Sequence, residues 1–486
     1  MLKLIIRQAN WGILGSLFRY AIIFFVSVYV VREVGKIEYG KYATAHVFAT
    51  IMDVFLAIGI PYVILRFFPS LLKKDPQKAS FIIRKMLRYA VSISLIFMIV
   101  MFLTKDLLDI YIYPKTPNFS YLLFIISIHA PISIFMGIIT SLYRSVLKIK
   151  EIMLYGTFIS VPLRGVITFI VFQYTSDIFY LVAIDIFVQL LTLFLMYYFF
   201  NKREFKIFNN NKLFNNVSSI DNNIFSYGKK MYANSILSLF SNQGLPLLIG
   251  VLLLPEEMGI YRILMQIAAL SMFLNKNLRN IFSPAISKLY EENKISELNI
   301  LYKQTTFIVN ILTIPFCILM IFFANVFLRL YDFSTEEILL YKPFLIILII
   351  ARMIYLIAGS SGAFMIMAGI EKKEILIQTI RGVLSILIAL IFIEEYKLGA
   401  VVVLIIFSMI FVAIAQLISI KKEINISPFS SELFLLILLS IPIVFCAINY
   451  QITFSFYHYI LLPIILYLFY FVVFYKRLKT IYLEIK

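Results

Sequence analysis

An all-α, polytopic membrane protein is the fold class this chain predicts, and three observations carry it. Hydrophobic residues fill 62% of the 486 positions and mean hydropathy is +0.94, well above the near-half apolar content of soluble domains. Charged residues make up only 14% and cluster between apolar blocks, many of them near the roughly 20 residues that cross a bilayer as a helix. The blocks are continuous rather than alternating, which excludes a transmembrane β-barrel and leaves helices as the spanning element.

Cut at charges and turn residues, the blocks give fourteen candidate spans: 10–31, 43–65, 86–104, 119–141, 152–173, 178–200, 226–252, 258–282, 304–326, 338–368, 374–393, 398–419, 432–449 and 456–475. The first follows MLKLIIRQANWGILG with no small-residue cleavage site, so it reads as a span rather than a removed signal peptide. Around the second, the stretch 39–69 opens on Tyr39-Gly40-x-Tyr42, holds Asp53 inside and closes on Gly59, Arg66 and Pro69. It has an echo in 258–284, MGIYRILMQIAALSMFLNKNLRNIFSP, again with Gly-x-Tyr at the start and Pro at the end. A second echo pairs 147–166 with 370–387. Each has a basic pair, then Glu-Ile, then an apolar helix with Arg-Gly-Val, placing Arg164 and Arg381 in matching positions. The chain thus reads as two six-helix lobes in pseudo-twofold repeat plus two C-terminal helices. The N-lobe is 1–200, a polar Asn-rich cytoplasmic linker 201–225, the C-lobe 226–420, and 421–486 holds spans thirteen and fourteen with a tail. Parallel repeats of this kind place a substrate path along their interface.

The loops test the span count, because Lys and Arg collect on cytoplasmic loops. They fall on alternate connections: Lys3 and Arg7, then Lys73, Lys74, Lys78, Arg84 and Lys85, then Arg144, Lys148 and Lys150, and so on to Lys476, Arg477 and Lys479 in the tail. The loops at 173–177, 254–258, 394–397 and 449–455 are short and poor in basic residues, while in the first outer loop Arg32, Lys36 and Lys41 face Glu33 and Glu38. This predicts an even number of spans and both termini on the cytoplasmic side of the cytoplasmic (inner) membrane. It also accounts for most of the net charge of +18 without invoking nucleic acid.

Enzyme signatures are missing. Cys317 and Cys446 lie far apart in apolar runs, His46, His129 and His458 have no metal-ligand spacing, and no phosphate loop, nucleophile triad or Cys-x-x-Cys is visible. No cofactor is expected, apart from H⁺ or Na⁺ as a coupling ion.

Six plus six plus two spans, Tyr39-Gly40-x-Tyr42, Gly59 with Arg66 and Pro69, and Gly259-x-Tyr261-Arg262 together resemble the polysaccharide flippases of the multidrug/oligosaccharidyl-lipid/polysaccharide exporter superfamily. The resemblance covers essentially the whole chain, and its short motifs specify the superfamily better than the cargo. It implies two lobes around a cationic cavity that pass a polyprenyl-diphosphate-linked oligosaccharide from the inner to the outer leaflet by alternating access. Polysaccharide assembly proteins and membrane lipids are the implied partners. Related lipid II flippases carry essential arginines in their first, second and eighth helices, and Arg19, Arg66 and Arg262 stand at matching places here.

Charge inside a span costs a few kcal/mol on insertion scales, so such residues face a cavity or a partner. Arg19 and Arg352 are deep and are expected to line the cavity. Arg262 lies near the outer end of its span, where snorkelling competes with a cavity role. Arg66 sits near a cytoplasmic helix end and suits a headgroup. Arg164 and Arg381, being repeat-related, suit a shared structural role. Guanidinium is fitting for a diphosphate, since it presents several fixed donors and stays charged at any working pH. Among Asp53, Asp177 and Asp185, Asp53 is deepest. It either couples transport to H⁺ or Na⁺ or pairs with an arginine such as Arg19. Asn234, Asn242 and Gln266, with Ser235, Ser238, Ser241, Gln243, Asn275 and Asn277, offer amides and hydroxyls to sugar or to neighbouring helices. The alternative readings are a multidrug or cation antiporter of the same fold, which calls for an acidic cavity, and a polysaccharide polymerase, which calls for a large outer loop.

Overall fold

The computed structural model describes residues 2–116, 119–206, 222–272, 275, 282, 285–449 and 456–485. Every long element among them is a helix. Asn277 and Pro284, with most of the 201–225 linker, lie outside the described residues. Among the described residues, eleven helices are long and apolar enough to span a membrane, so this is a multi-pass membrane protein. Two of the eleven, Leu14–Ala57 and Glu371–Ile424, have 44 and 54 residues and are double. At 1.5 Å per residue each is about twice as long as the ~30 Å hydrocarbon core is thick. Eleven helices therefore carry thirteen crossings. The remaining predicted span, the eighth, begins as the helix Pro255–Ala269 and runs into residues outside the described set.

The chain divides into two compact units, Met1–Arg262 with Ala389–Lys397, and Ile263–Ile388 with Leu398–Lys486. In the first unit, α1 (Leu2–Ala57) is a double helix interrupted at Gly35, whose φ of 80° glycine adopts without a Cβ penalty. The predicted outer loop is thus helix on both sides of one residue. The second predicted span is not one rod either. It stops at Ala57, turns at Ile58 and Gly59, and resumes as α2 (Ile60–Lys74) with Pro61 in its first turn, where a missing N–H costs nothing. Then follow α3 (Pro76–Tyr111), α4 (Ser120–Ser127), α5 (His129–Ser145) and α6 (Ile149–Met153). After α6 comes a π-helical turn, Leu154–Ile159, leading into α7 (Ser160–Val171), α8 (Ile178–Arg203) and α9 (Asn222–Leu252). The fourth predicted span is broken between α4 and α5, which starts at His129 with Pro131 in its first turn.

Lipid tails are as apolar as leucine, so burial in protein gains these helices little. Close packing and polar contacts hold them together. Around α5, which packs on α1, α2 and α8, Tyr143 stacks edge-on against Phe200 at 5.0 Å and donates to the Met196 carbonyl at 2.9 Å. The seventh predicted span, α9, packs on α1 and α2. At the start of α10 (Pro255–Ala269) two backbones meet with no room for side chains. A Cβ at Gly40 would stand 1.7 Å from the Pro255 carbonyl oxygen, and one at Gly259 2.1 Å from that of Lys36. The two echoed Gly-x-Tyr glycines are therefore each other's neighbours.

The second unit is built on α11 (Ile295–Phe322), apolar on every side, with 72% of its most apolar window buried, as a central helix should be. It is followed by α12 (Ala324–Leu330), α13 (Thr335–Ile357), α14 (Ser361–Met367), α15 (Glu371–Ile424), α16 (Ser431–Asn449) and α17 (Phe456–Ile485). α11 packs on α13, α16 and α17. Asn310 of α11 donates to the Thr306 and Leu356 carbonyls at 2.8 and 3.0 Å, and Tyr467 of α17 donates to the Leu312 carbonyl at 3.0 Å. The tenth predicted span breaks at Gly359 between α13 and α14. The turn predicted at 394–397 shrinks to Lys397 alone, at φ 48° and ψ −128°. Both cysteines are free.

Candidate functional site

Two adjoining cavities lie in the first unit, of about 610 and 420 Å³, and Met136, Thr140 and Arg144 of α5 line both. The larger is walled by α1, α2, α5 and α9, and its polar groups include Asp53, Ser133, Ser238 and Asn242. The smaller is walled by both limbs of α1, by α5, the π-helical turn, α7 and α8, and holds Arg19, His46, His129, Arg164 and Asp185. The π turn contributes Gly156 and Thr157. An extra residue per turn widens a helix locally, which is why such turns recur at functional sites.

Three arginines enter this cleft in two different states. Arg164 of α7 is locked. It pairs with Asp185 of α8 through both Nε and Nη2, the second contact at 3.1 Å, and its Nη2 also donates to the Tyr42 hydroxyl at 3.1 Å. Tyr42 in turn donates to Asp185 at 2.7 Å, closing a ring of three side chains from three helices. A forked, two-bond guanidinium–carboxylate contact is the strong form of an ion pair. Arg19 and Arg144 differ. Each lines the smaller cavity without a hydrogen-bond or ion-pair partner for its guanidinium among the described residues. Both are open to the cleft, so they offer charge and donors to an anion while Arg164 is already committed.

Asp53 is not paired with an arginine. Its Oδ2 accepts from Ser133 at 2.8 Å and lies 3.8 Å from His129 Nδ1. Its Oδ1 is buried without a hydrogen bond. Rings continue from there along α1: His129 to His46 at 6.4 Å, His46 to Tyr42 at 6.0 Å and Tyr42 to Tyr39 at 6.1 Å.

The structure brings Arg19, Asp53 and Asn242 of the predicted site residues to this cleft. It places the others elsewhere. Arg66 is exposed, 4.3 Å above the Tyr227 ring, and does not line the cleft. Asn234 is exposed on α9 outside the lining. Arg262 reaches the Tyr39 hydroxyl instead. Arg352 and Gln266 belong to the second unit, where Arg352 lies near Cys317. Asn275 there accepts from Ser360 at 2.7 Å. Arg144, His46, His129 and Ser133 had no distinguishing signal in the sequence, and Tyr42 stood out only as part of the Gly-x-Tyr motif. Arg144 read as one more cytoplasmic-loop charge.

The model of the "Polysaccharide biosynthesis protein" family matches residues 30–331, more than half of the chain. The chain belongs to this family. The polysaccharide biosynthesis family match starts within α1 and ends beyond α12, so it contains most of the cleft, Arg19 and Ile23 excepted. A sequence comparison with curated proteins finds no match for this family member. Among solved structures, the "Lipid II flippase MurJ, inward closed conformation" is similar at TM-score 0.74 and 16% identity, over 96% of this chain and 98% of that one. A "MATE in complex with MaL6" is similar at TM-score 0.62 and 16% identity, over 87% and 96%. A MOP superfamily transporter from Pyrococcus furiosus Vc1 (DSM3638), described as having a binding pocket of reverse polarity, is similar at TM-score 0.62 and 15% identity, over 87% and 96%. At these identities the likeness is one of fold, and that fold is the one of flippases and transporters.

Proposed function

We propose that this protein is a flippase that carries a polyprenyl-diphosphate-linked oligosaccharide from the inner to the outer leaflet of the cytoplasmic membrane by alternating access, for cell-surface polysaccharide biosynthesis. The observation that carries the reading is the pair of unpartnered guanidiniums, Arg19 and Arg144, in one cleft. A diphosphate is the costliest group to take through a bilayer, and fixed guanidinium donors replace its hydration. Asn242, Ser133 and Ser238 offer hydrogen bonds for sugar hydroxyls beside it. Arg66, on the same α2 whose other residues line the larger cavity, suits a headgroup at the cleft's approach. Arg262, Arg352, Asn234 and Gln266 remain candidates for other states of the transport cycle. The alternating loop charges support cytoplasmic termini. The multidrug or cation antiporter reading is disfavoured by the cleft's charge, three arginines against two aspartates.

The test is flipping in proteoliposomes, followed by exposure of a lipid-linked oligosaccharide to an added glycosidase. A hydrogen bond to a charged group contributes about 1.5–3 kcal/mol, so Arg19→Ala and Arg144→Ala should each weaken cargo binding roughly 10- to 150-fold. Exposure that proceeds at wild-type rate in both variants sinks the cleft assignment. Absence of any exposure, together with binding of cationic dyes, favours the antiporter.

A further inference from the structure

His129 and Asp53 are a pair that the anion cleft itself does not require. His129 Nδ1 and Asp53 Oδ1 are both buried and both lack a hydrogen bond. Yet His129 Nδ1 lies 3.8 Å from the other carboxylate oxygen, Oδ2. A buried polar atom left without a partner is uncommon and costly, and here each member of one 3.8 Å pair carries such an atom. One proton resolves both. Carried on His129 it makes a donor toward the carboxylate, and carried on Asp53 it removes the uncompensated charge. The pair also bridges the two cavities, since Asp53 lines the larger and His129 the smaller.

We propose that His129 and Asp53 share one exchangeable proton, and that an anion in the adjoining cavity favours its uptake. The ligand is a proton rather than a metal cation. Hard cations take several oxygen ligands, whereas the nearest neighbours of Asp53 are an imidazole nitrogen and a hydroxyl that already donates to it. The described residues also contain no group of three or more acidic, His or Cys side chains suited to a metal.

The charged and titratable surroundings set the direction of coupling. On Asp53's own helix stand His46 and Tyr42, and Arg19 lies on the other limb of α1. Arg144 is on α5 with His129, Arg164 on α7 and Asp185 on α8, Tyr62 is on α2, and Arg262 of α10 approaches through Tyr39. From α9 come only the neutral Ser235, Ser238, Asn242 and Gln243. With the histidines neutral, three guanidiniums face two carboxylates, a balance of +1. An anion beside Arg19 and Arg144 cancels it and admits the proton, so cargo and proton load together. Only this coupling rests on the flippase reading; the shared proton does not.

The chain's three histidines make the site measurable. Full-length protein labelled with ¹⁵N-histidine in nanodiscs gives ring signals that His46→Gln, His129→Gln and His458→Gln assign. Titrated from pH about 5 to about 8, the range in which histidine changes charge, the His129 signal should move its midpoint by tenfold or more in proton concentration in Asp53→Asn. Asp53→Glu should restore most of the shift. A midpoint unmoved by Asp53→Asn, in protein that still gives the other two signals, overturns the proton site, as does a sodium-dependent shift of the same signal. Farnesyl diphosphate, titrated calorimetrically in buffers of different ionisation heat, should take up protons on binding to wild type and not to His129→Gln. Uptake that persists in the variant overturns the coupling. Failure of farnesyl diphosphate to bind, with the His129 shift intact, overturns the flippase reading and leaves the proton site standing.

Discussion

Asp185 matters at the scale of single residues because of what its loss would leave behind. It is the carboxylate partner of Arg164 among the described residues, and both side chains are largely shielded, 17% and 25% exposed. Removing one member of a shielded pair strands the other charge, at a cost of about 3–5 kcal/mol. Removing the Tyr42 hydroxyl deletes one neutral arm of the ring and costs about 1 kcal/mol. Thermal denaturation in detergent should therefore rank Asp185→Asn as much less stable than Tyr42→Phe, and Asp185→Asn combined with Arg164→Gln as more stable than Asp185→Asn alone. Equal melting temperatures for Asp185→Asn and wild type would mean that the ring is not a structural tie. The same logic separates Arg164 from Arg19 and Arg144. A guanidinium that already holds a carboxylate positions helices, whereas one without a partner is left for the proposed cargo.

The decisive contacts between elements are made by backbone as much as by side chains. Where α1 meets the start of α10, the Gly40 and Gly259 backbones touch with no Cβ between them. A methyl group at Gly40 cannot be accommodated by rotating a side chain, because the atom it meets at 1.7 Å is a carbonyl oxygen. Gly40→Ala should force the two segments apart and lower the yield of folded protein sharply. Gly156→Ala, in the π-helical turn, meets nothing within 4 Å and should fold as wild type or slightly better, since alanine loses less conformational freedom on folding. Size-exclusion profiles and melting temperatures of the two variants check this contrast. The breaks at Ile58–Gly59 and at His129 follow the same theme. Interrupted helices inside a membrane are tolerated where neighbouring protein or a cavity satisfies the freed backbone, and both breaks border residues that line the cleft.

At the scale of the molecule, thirteen crossings are carried by eleven helices among the described residues, and a further one begins at Pro255. An even number of spans would put both termini on one side, and the alternation of basic loops carries the proposal that this side is the cytoplasm. Short epitopes at either end should be accessible only from the cytoplasmic face of sealed vesicles. A single terminus labelled from outside would remove one span from the count. Cys446 is exposed and Cys317 fully buried, so a maleimide should modify the folded chain at one position.

Composition alone determined the membrane class, because 62% apolar residues in long continuous runs have no other stable arrangement. The alternation of charge carries the proposed topology, and the Gly-x-Tyr echoes marked two segments that prove to be in contact. These signals are local, since hydropathy and motifs are read along the chain. The cleft is not local. Arg164 meets an aspartate 21 residues away and a tyrosine 122 residues away, and Asp53 meets Ser133 across 80. From sequence, Asp53 and Arg19 were an obvious pair of opposite charges, and Arg144 an ordinary loop residue. Only the packing of α1, α5, α7 and α8 decided that Arg164 is spent on Asp185, that Asp53 faces a histidine, and that Arg19 and Arg144 share a cavity. Insertion energy makes buried charge rare but does not name its partner; helix rotation and the positions of the breaks do that.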